Sequence, residues 1–344
     1  MKKRFLIPAF AMALVVAFSL LRLHRQPSEP TIGCIIYRRD DVYMNYLKQS
    51  IIATAKDKAQ LLIVNSNGSQ SMQNQQIEEL LQEGVRTLMI NPVDRSAAGA
   101  ELEKAKKADV PVVFFNKEPY PEDMKKWPEK VYYVGSKAET SGMMSGQILA
   151  DYWKNNPKAD LNGDGKLQYV MLKGETGHQD TELRSKYVIR CLRGNGIAVQ
   201  KVAEGSAYWE RNEGRILMSS FLTSVGDRIE AVIANNDEMA LGAIEALKAA
   251  GFFKEGKYLP VISVDATPPA LQAIEEGTLL GTVFNDSTSQ GKAAFNLAYL
   301  LAQGIHPTSK AIGYTITDDC YVWIPYQSVD RKNFKAFLEK RKVN

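Results

Sequence analysis

From residue 31 onward, short apolar runs alternate with amphipathic segments, and this alternation constrains the fold more than any other feature. The runs TIGCIIY, VPVVFFNK and VYYVGS are apolar throughout, which is typical of strands buried on both faces of a sheet. The segment SMQNQQIEELLQEG places its apolar residues on one face and ends at a glycine, as a helix does. Strands that alternate with helices predict an α/β fold with a parallel sheet covered on both sides.

The same alternation restarts after VYYVGS and continues through the strand-like runs LQYVMLKGE, EAVIANN and LLGTVFND. A chain of 344 residues suits two domains of ordinary size, each with its own core. No low-complexity stretch and no linker rich in serine or proline separates the halves. The sequence therefore predicts two doubly wound parallel-sheet lobes joined by short connections.

The N-terminus has the pattern of an export signal. MKKRF supplies positive charge, and Phe5 to Leu21 is an uncharged apolar run of 17 residues. No A-x-A cleavage site follows, and 17 residues lies at the lower limit for a helix that spans a membrane. Residues 1–30 are thus predicted to be either a cleaved signal or a retained membrane anchor.

Composition and missing motifs exclude several classes of protein. The 43 basic and 39 acidic residues give a net charge of only +4, and the basic residues form no stripe, so nucleic acid is not an expected partner. No glycine-rich phosphate loop follows any strand, which argues against a nucleotide. The three cysteines lack metal-ligand spacing; Cys34 and Cys320 could pair if their strands are neighbours, and otherwise all three are buried thiols.

Polar and aromatic residues collect after the predicted strands and at the starts of the predicted helices, where ligands bind in doubly wound sheets. Each of the Asp and Asn residues among them could simply cap a helix or form a turn. Together, drawn from both lobes, they predict a ligand site. The candidates are Asp41, Tyr43, Asn91, His178, Asp180, Arg184, Trp209, Asn236, Asp265 and Asn285.

The candidate residues suit an uncharged polyol. Their polar groups can each give or take a hydrogen bond with a hydroxyl, and the rings of Tyr43 and Trp209 offer flat faces for the C–H surface of a pyranose. His178 beside Asp180 could be an acid–base pair, but no nucleophile stands near them in the sequence. Glycoside hydrolysis would need a spaced pair of carboxylates, so we predict a binding protein and not an enzyme.

The stretch DLNGDGKLQ resembles the beginning of a helix-loop-helix calcium loop. Oxygen-bearing side chains stand at loop positions 1, 3, 5 and 9, and Gly165 stands at position 6, where the chain turns sharply. Position 12, which usually carries a bidentate Glu, is Met171. Calcium prefers six to eight oxygen ligands, so either an acidic residue arrives from elsewhere or the stretch is an exposed turn without metal.

Several segments resemble, in order and spacing, the family of bacterial D-galactose/D-glucose-binding periplasmic proteins. They include TIGCIIYRRDDVYM, VPVVFFNKEP, DLNGDGKLQYVMLKGETGHQDTELRSKYVI and EAVIANNDEMALGAIEALKA, and the resemblance runs from about residue 31 to residue 330. It implies a periplasmic binding protein-like type I fold with a hinge of three crossings near Ser136, Asn285 and Ile324. It also implies a first lobe of residues 31–136 plus 286–324 and a second of 137–285 plus 325–344.

The resemblance implies a monomeric extracytoplasmic receptor whose cleft closes on D-galactose or D-glucose. An ABC-type permease, and also a chemoreceptor, would read the closed form; a membrane-tethered sugar sensor without a transport role remains an alternative. The ten candidate residues above would bind the sugar. The family commonly has Phe where this chain has Tyr43, which adds a hydroxyl, and the sequence does not distinguish galactose, glucose and a methyl galactoside.

The resemblance also completes the loop as a structural Ca²⁺ site. In the family, the missing carboxylate comes from a distant strand, and the matching residue is Glu230 in RIEAVIANN. Lys166 would contribute only its backbone carbonyl. The implied ligand set is Asp160, Asn162, Asp164, Lys166, Gln168 and Glu230.

Overall fold

The structure, a computed structural model, describes residues 29–38 and 41–342. The predicted export segment therefore lies outside the described residues, apart from Glu29 and Pro30. None of the helices within the described ranges combines the length and the apolar character that crossing a bilayer requires.

The first lobe is built on a sheet of six parallel strands in the order β11-β5-β4-β3-β1-β2. The strands are β1 (Thr31–Ile36), β2 (Gln60–Asn65), β3 (Thr87–Ile90), β4 (Val112–Phe115), β5 (Val131–Gly135) and β11 (Tyr321–Trp323). Strand order reverses on either side of β1, and such a switch point opens a crevice at the carboxyl ends of the strands.

The second lobe repeats this arrangement with the strand order β12-β10-β9-β8-β6-β7. Its strands are β6 (Lys166–Lys173), β7 (Ala198–Ser206), β8 (Ala231–Ala234), β9 (Val261–Ile262), β10 (Gly281–Phe284) and β12 (Gln327–Asp330). The predicted α/β fold with two doubly wound lobes is confirmed, although β12 runs antiparallel to β10. β11 is parallel to β5 and ends between the two lobes. The chain therefore enters the second sheet at the carboxyl ends of its parallel strands, and β12 runs from there in the opposite direction.

Twelve helices of four or more residues occur in the described ranges. They are α1 (Val42–Ala55), α2 (Gln70–Gln82), α3 (Ala98–Lys107), α4 (Pro121–Met124), α5 (Ala138–Asn155), α6 (Gln179–Gly194), α7 (Arg211–Val225), α8 (Asp237–Ala249), α9 (Pro268–Glu276), α10 (Ser287–Ala302), α11 (Ser309–Ile312) and α12 (Phe334–Lys342). Short 3₁₀ turns span Arg95–Ala97, Pro157–Ala159 and Gly226–Arg228.

Each sheet of the two lobes has an apolar cluster on both of its faces. In the first lobe, Leu47 of α1 and Phe295 of α10 pack on one face, and Ile77 of α2 and Leu102 of α3 pack on the other. All four side chains are fully buried. This burial on two sides explains why the strands read as continuous apolar runs in the sequence.

The sequence patterns do not predict two elements of the second lobe, the strand β7 and the helix α7. β7 is an edge strand whose residues are half-buried or exposed, so its sequence AVQKVAEGS lacks the apolar run that marks the central strands. α7 buries only Gly214, Met218 and Phe221, which leaves a weak apolar stripe.

The cysteines of the described residues are free thiols. Cys34 lies in β1, and Cys320 precedes β11. Strands β3, β4 and β5 stand between β1 and β11, so the considered pairing of Cys34 with Cys320 is excluded by the sheet order.

The chain passes between the lobes three times, through residues 136–137, 285–286 and 324–326. Hydrogen bonds join these crossings. Ser136 Oγ donates to the Ile324 carbonyl at 2.7 Å, and Gln290 Nε2 donates to both Ser136 Oγ at 3.0 Å and Asn285 Oδ1 at 2.8 Å. Gln290 is almost fully buried, so this connection is shielded from water.

Candidate functional site

A cavity lies between the lobes, where the carboxyl ends of strands from both sheets approach each other. About 340 Å³ among its side chains is free of protein atoms, counting the space that opens to solvent. Nine of the ten predicted residues line it. The lining consists of Tyr37, Asp41, Tyr43, Asn116, His178, Asp180, Arg184, Trp209, Asn236, Asp265 and Asn285.

Asn91, the tenth predicted residue, is not part of this lining. Its side chain is fully buried behind the cavity, where Nδ2 donates to the Phe115 carbonyl and to Asn116 Oδ1, both at 3.0 Å. Asn116 lines the cavity in its place. Asn116 directly follows β4 in the run VPVVFFNK and has a left-handed φ of 63°, which Asn tolerates better than most residues. The strand-end rule could have found Asn116.

Tyr37 is the second lining residue that the sequence analysis missed, because it reads as the last residue of the apolar run TIGCIIY. Its hydroxyl donates to Asp41 Oδ2 at 3.0 Å. Asp41 Oδ1 accepts from the Met44 backbone N–H at 3.0 Å and so caps α1. Asp41 is therefore a helix cap and a lining residue at once.

His178 and Asn236 also combine a helix cap with a place in the cavity. His178 Nδ1 accepts from the Asp180 N–H at 3.1 Å at the start of α6. Asn236 Oδ1 accepts from the Met239 N–H at 3.0 Å at the start of α8, and Asn236 Nδ2 donates to the Trp209 carbonyl at 3.1 Å. Capping hydrogen bonds hold these polar side chains in one orientation, so the side chains are preorganised for a ligand.

The two aromatic residues come from opposite lobes. Tyr43 lies in the first turn of α1, and its hydroxyl donates to Asn285 Oδ1 at 3.1 Å. The Trp209 ring is 93% buried, and its φ of 69° is rare for a bulky residue. A Cβ on Gly174 would stand 2.1 Å from this ring, so only glycine at residue 174 leaves room for it. Strain and close packing of this kind accumulate at binding sites.

Arg184 is the buried cation of the cavity. Its Nη2 donates to Asp180 Oδ2 at 2.8 Å and to the Tyr326 hydroxyl at 3.2 Å, and its Nη1 donates to the Asn235 carbonyl at 2.8 Å. Two buried N–H groups of lining residues have no acceptor within the described chain, namely Arg184 Nε and Trp209 Nε1. Buried donors without partners are costly, so a ligand rich in acceptor oxygens suits this cavity.

Burial shifts the pKa values of His178, Asp180 and Asp265 in the direction that favours their neutral forms. Loss of hydration, helped by the nearby charges of Lys117 and Arg184, lowers the pKa of His178 well below 6.5. Burial raises the pKa of Asp180, with Arg184 and Lys117 opposing, and it raises that of Asp265 well above its ordinary value. An uncharged imidazole and a paired carboxylate favour a ligand without net charge.

A second buried carboxylate supports the segment that presents Asp265. Asp237 accepts from Ser263 Oγ at 2.5 Å, Thr282 Oγ1 at 2.7 Å and the Thr267 N–H at 2.7 Å. These bonds tie β9, β10 and the start of α9 to α8. They enclose residues 265 and 266, whose φ angles of 125° and 52° are unfavourable for residues other than glycine.

The lobes touch across the cleft. Gln179 Nε2 of the second lobe donates to Glu118 Oε2 of the first at 2.7 Å, and Arg38 Nη1 of the first donates to Glu175 Oε1 of the second at 3.0 Å. The structure thus shows the closed arrangement of the two lobes.

The loop at residues 160–168 lies at the opposite, amino end of the second sheet, because it leads into β6. Glu230, which stands just before β8, reaches this loop, as its Oε1 accepts from the Leu161 N–H at 2.7 Å and its Oε2 from the Gln168 N–H at 2.9 Å. Asp160 accepts from the backbone N–H groups of Gly163 at 2.8 Å and Gly165 at 2.9 Å. Residues from a distant part of the chain therefore meet at the loop.

The donor set of the loop fits calcium in part. In the described ranges, no group of three or more His, Cys, Asp or Glu side chains is arranged to hold a metal ion. A cation would thus need amide and carbonyl oxygens as well as carboxylates, which is what Ca²⁺ accepts. Gln168 Oε1 is buried, and no group in the described part of the chain donates to it, so it is available as a ligand. The Lys166 ammonium lies 3.7 Å from Asp164 Oδ2 and would oppose a cation unless it turns away.

Comparison with known proteins places the chain among solute receptors. Residues 32–306 match the periplasmic binding protein domain. A D-galactose/methyl-galactoside binding periplasmic protein of Haemophilus influenzae is 43% identical over 90% of this chain and 92% of its own length. A ribose import binding protein of Bacillus subtilis is 30% identical over 78% of this chain and 81% of its own length.

Among solved structures, the fold matches an ABC transporter solute binding protein from Bacillus halodurans with bound myo-inositol. The TM-score is 0.77, the sequence identity is 28%, and the match covers 91% of this chain and 98% of that protein. The relatives are binding proteins, which agrees with the prediction that the chain is not an enzyme.

Proposed function

The chain belongs to the periplasmic binding protein domain family, and on that premise we propose that it is an extracytoplasmic receptor for D-galactose and D-glucose. The receptor closes its two lobes around one hexose and delivers it to an ABC-type permease. The Haemophilus influenzae relative, which is named for D-galactose and methyl galactoside, supports this ligand class.

The observation that carries the proposal is the composition of the interlobe cavity. Two aromatic rings from opposite lobes stand beside the Arg184–Asp180 ion pair and the helix-capping amide of Asn236. Two N–H donors of the cavity lack an acceptor among the described residues. A hexose presents hydroxyl oxygens to the donors and C–H faces to the rings. Since both lobes supply contacts, the sugar binds the closed form better than the open form and shifts the population toward it.

The family is exported, and we extend the proposal to the partners of the closed form. Residues 1–30 direct export and either leave as a signal or remain as a tether. The receptor acts as a monomer. A permease binds its closed form, and a chemoreceptor binds the same surface.

Calorimetric titration with a panel of sugars tests the ligand class. We expect galactose and glucose to bind with dissociation constants in the micromolar range or below, and a pentose such as ribose to bind at least 100-fold more weakly. A pentose leaves buried polar groups of the site unpaired, which costs about 1–3 kcal/mol for each group. Equal affinity for ribose and galactose would contradict the assignment.

We also propose that the loop at residues 160–168 holds a structural Ca²⁺ ion. Asp160, Asn162, Asp164 and Gln168 would offer side-chain oxygens, Lys166 its backbone carbonyl, and Glu230 a carboxylate from before β8. The unpaired Oε1 of Gln168 and the convergence of Glu230 on the loop support this proposal. Bound to the folded state alone, the ion would stabilise the second lobe by mass action.

A further inference from the structure

We propose that Arg38 is a positioning residue for sugar binding, because its guanidinium, two residues after β1, contacts two loops of the opposite lobe. This inference rests on the proposed sugar-binding function. Arg38 does not line the cavity, and no sequence motif marks it. Its role follows from contacts that exist only while the lobes are closed.

Arg38 contacts both of the loops that carry the second lobe's ring-bearing site residues. Its Nη1 donates to Glu175 Oε1 at 3.0 Å and to the Tyr208 carbonyl at 3.3 Å, and its Nη2 pairs with Glu210. Glu175 lies three residues before His178, and Tyr208 and Glu210 flank Trp209. One side chain of the first lobe thus fixes the approaches to His178 and Trp209.

A second cation of the first lobe supports the same carboxylate. Lys117 Nζ lies 3.6 Å from Glu175 Oε2 and donates to the Val93 carbonyl at 3.0 Å. The ammonium also stands 4.0 Å from the centre of the Tyr37 ring, which is part of the cavity wall. Glu175 therefore receives positive charge from the first lobe on both of its oxygens.

Partial burial makes the Arg38–Glu175 pair stronger than an ordinary surface ion pair, whereas Glu210, whose side chain is 46% exposed, adds a more screened contact. The Arg38 side chain is 16% exposed and that of Glu175 is 26% exposed, whereas Arg211 and Glu245, which pair within the second lobe, are each 43% exposed. Solvent screens the second pair more, so its effect on stability is small. It offers a matched comparison, since it has the same chemistry but does not cross the cleft.

Opening of the hinge separates Arg38 from Glu175 and Glu210 and leaves the Arg211 pair intact. The Arg38 contacts consequently lower the free energy of the closed form relative to the open form, and they do not change the stability of either lobe. Because Arg38 stands outside the cavity wall, its contribution is the same for every sugar that the cleft accepts. Loss of these contacts acts on the release of sugar, since the closed form is what retains it.

The test compares Arg38→Gln, Arg38→Lys and Arg211→Gln by calorimetry and stopped-flow fluorescence. For Arg38→Gln, we expect a dissociation constant about tenfold higher for galactose and glucose alike, through faster dissociation. Arg38→Lys retains part of the affinity because it keeps the charge. Arg211→Gln binds within about twofold of wild type, and the melting temperature of sugar-free Arg38→Gln stays at the wild-type value.

Three results would overturn the inference. The first is wild-type affinity in Arg38→Gln. The second is a loss that differs between the two sugars, which would make Arg38 a direct sugar contact. The third is a lower melting temperature of the sugar-free variant, which would make its role structural. The same titration keeps the two proposals apart, because a wild-type protein that binds neither hexose refutes the proposed function itself.

Discussion

The interlobe cavity and the loop at residues 160–168 are both rich in Asp and Asn, yet their unpaired groups have opposite character. In the cavity, the N–H donors Arg184 Nε and Trp209 Nε1 lack acceptors among residues 29–38 and 41–342. In the loop, an acceptor oxygen, Gln168 Oε1, lacks a donor within the same ranges. A site with spare donors suits a neutral molecule rich in oxygen, and a site with a spare oxygen suits a cation. The unpaired atom thus discriminates between ligand classes where the count of Asp and Asn does not.

The two sites also stand at opposite ends of the second sheet. The cavity lies at the carboxyl ends of the strands, and the loop leads into the amino end of β6. We therefore expect sugar binding and cation binding to be nearly independent, and the first three measurements below separate them.

The largest effect is expected from removal of the buried cation of the cavity. Arg184→Met leaves the Asp180 carboxylate without its partner, so hexose affinity should fall about 100-fold, or about 2.8 kcal/mol, by calorimetry. The response of the melting temperature to calcium should persist. Arg184→Lys is the control that keeps the charge. A fall of less than threefold in Arg184→Met would show that Arg184 does not hold the sugar.

Calcium addition is the reciprocal experiment. At a free concentration 100 times its dissociation constant, Ca²⁺ should stabilise the folded protein by about 2.7 kcal/mol, seen as a rise of the melting temperature that a chelator reverses. Hexose affinity should change by less than about twofold if the sites are independent. Glu230→Gln should abolish the calcium response. A melting curve that neither calcium nor chelator moves would mean that the loop holds no ion.

Removal of the indole should act on the cavity alone. Trp209→Ala takes away one of the two rings proposed to stack on the sugar, so glucose affinity should fall at least tenfold, or about 1.4 kcal/mol, by calorimetry. Calcium stabilisation of the variant should match that of wild type. Unchanged glucose affinity would refute the stacking role, and a loss of the calcium response would show that the two sites are coupled.

The smallest effect concerns pH and the imidazole. The pKa of His178 lies well below 6.5 in the folded state, so the unfolded chain takes up the proton first as the pH falls through 6.5. The unfolding free energy of wild type should therefore drop by about 1 kcal/mol more than that of His178→Asn between pH 7 and pH 5.5. Asn keeps an acceptor for the helix cap. Parallel stability curves would show that His178 is freely hydrated.

The sequence predicts what depends on local periodicity and misses what depends on distant contacts. β1 and β4 are evident because both faces of each strand are buried, whereas the edge strand β7 carries no such pattern. The strand-end rule identifies Asp41 and Asn236 but does not separate Asn91 from Asn116, which both follow strands. Asn116, which has a left-handed φ, lines the cavity, whereas Asn91 donates to Asn116 from behind. The Arg38–Glu175 pair joins residues 137 positions apart, which no spacing rule reveals.

The buried Gln290 amide, which joins two of the chain crossings, and Ser136, which joins the third, have a consequence for how the lobes move. Three connections bonded to one another resist independent twisting, so we expect the lobes to rotate about a single axis. The outer faces of the two lobes then have one relative orientation in the closed form and another in the open form. A membrane protein that binds across both lobes can therefore distinguish the sugar-bound receptor from the sugar-free one without contacting the sugar.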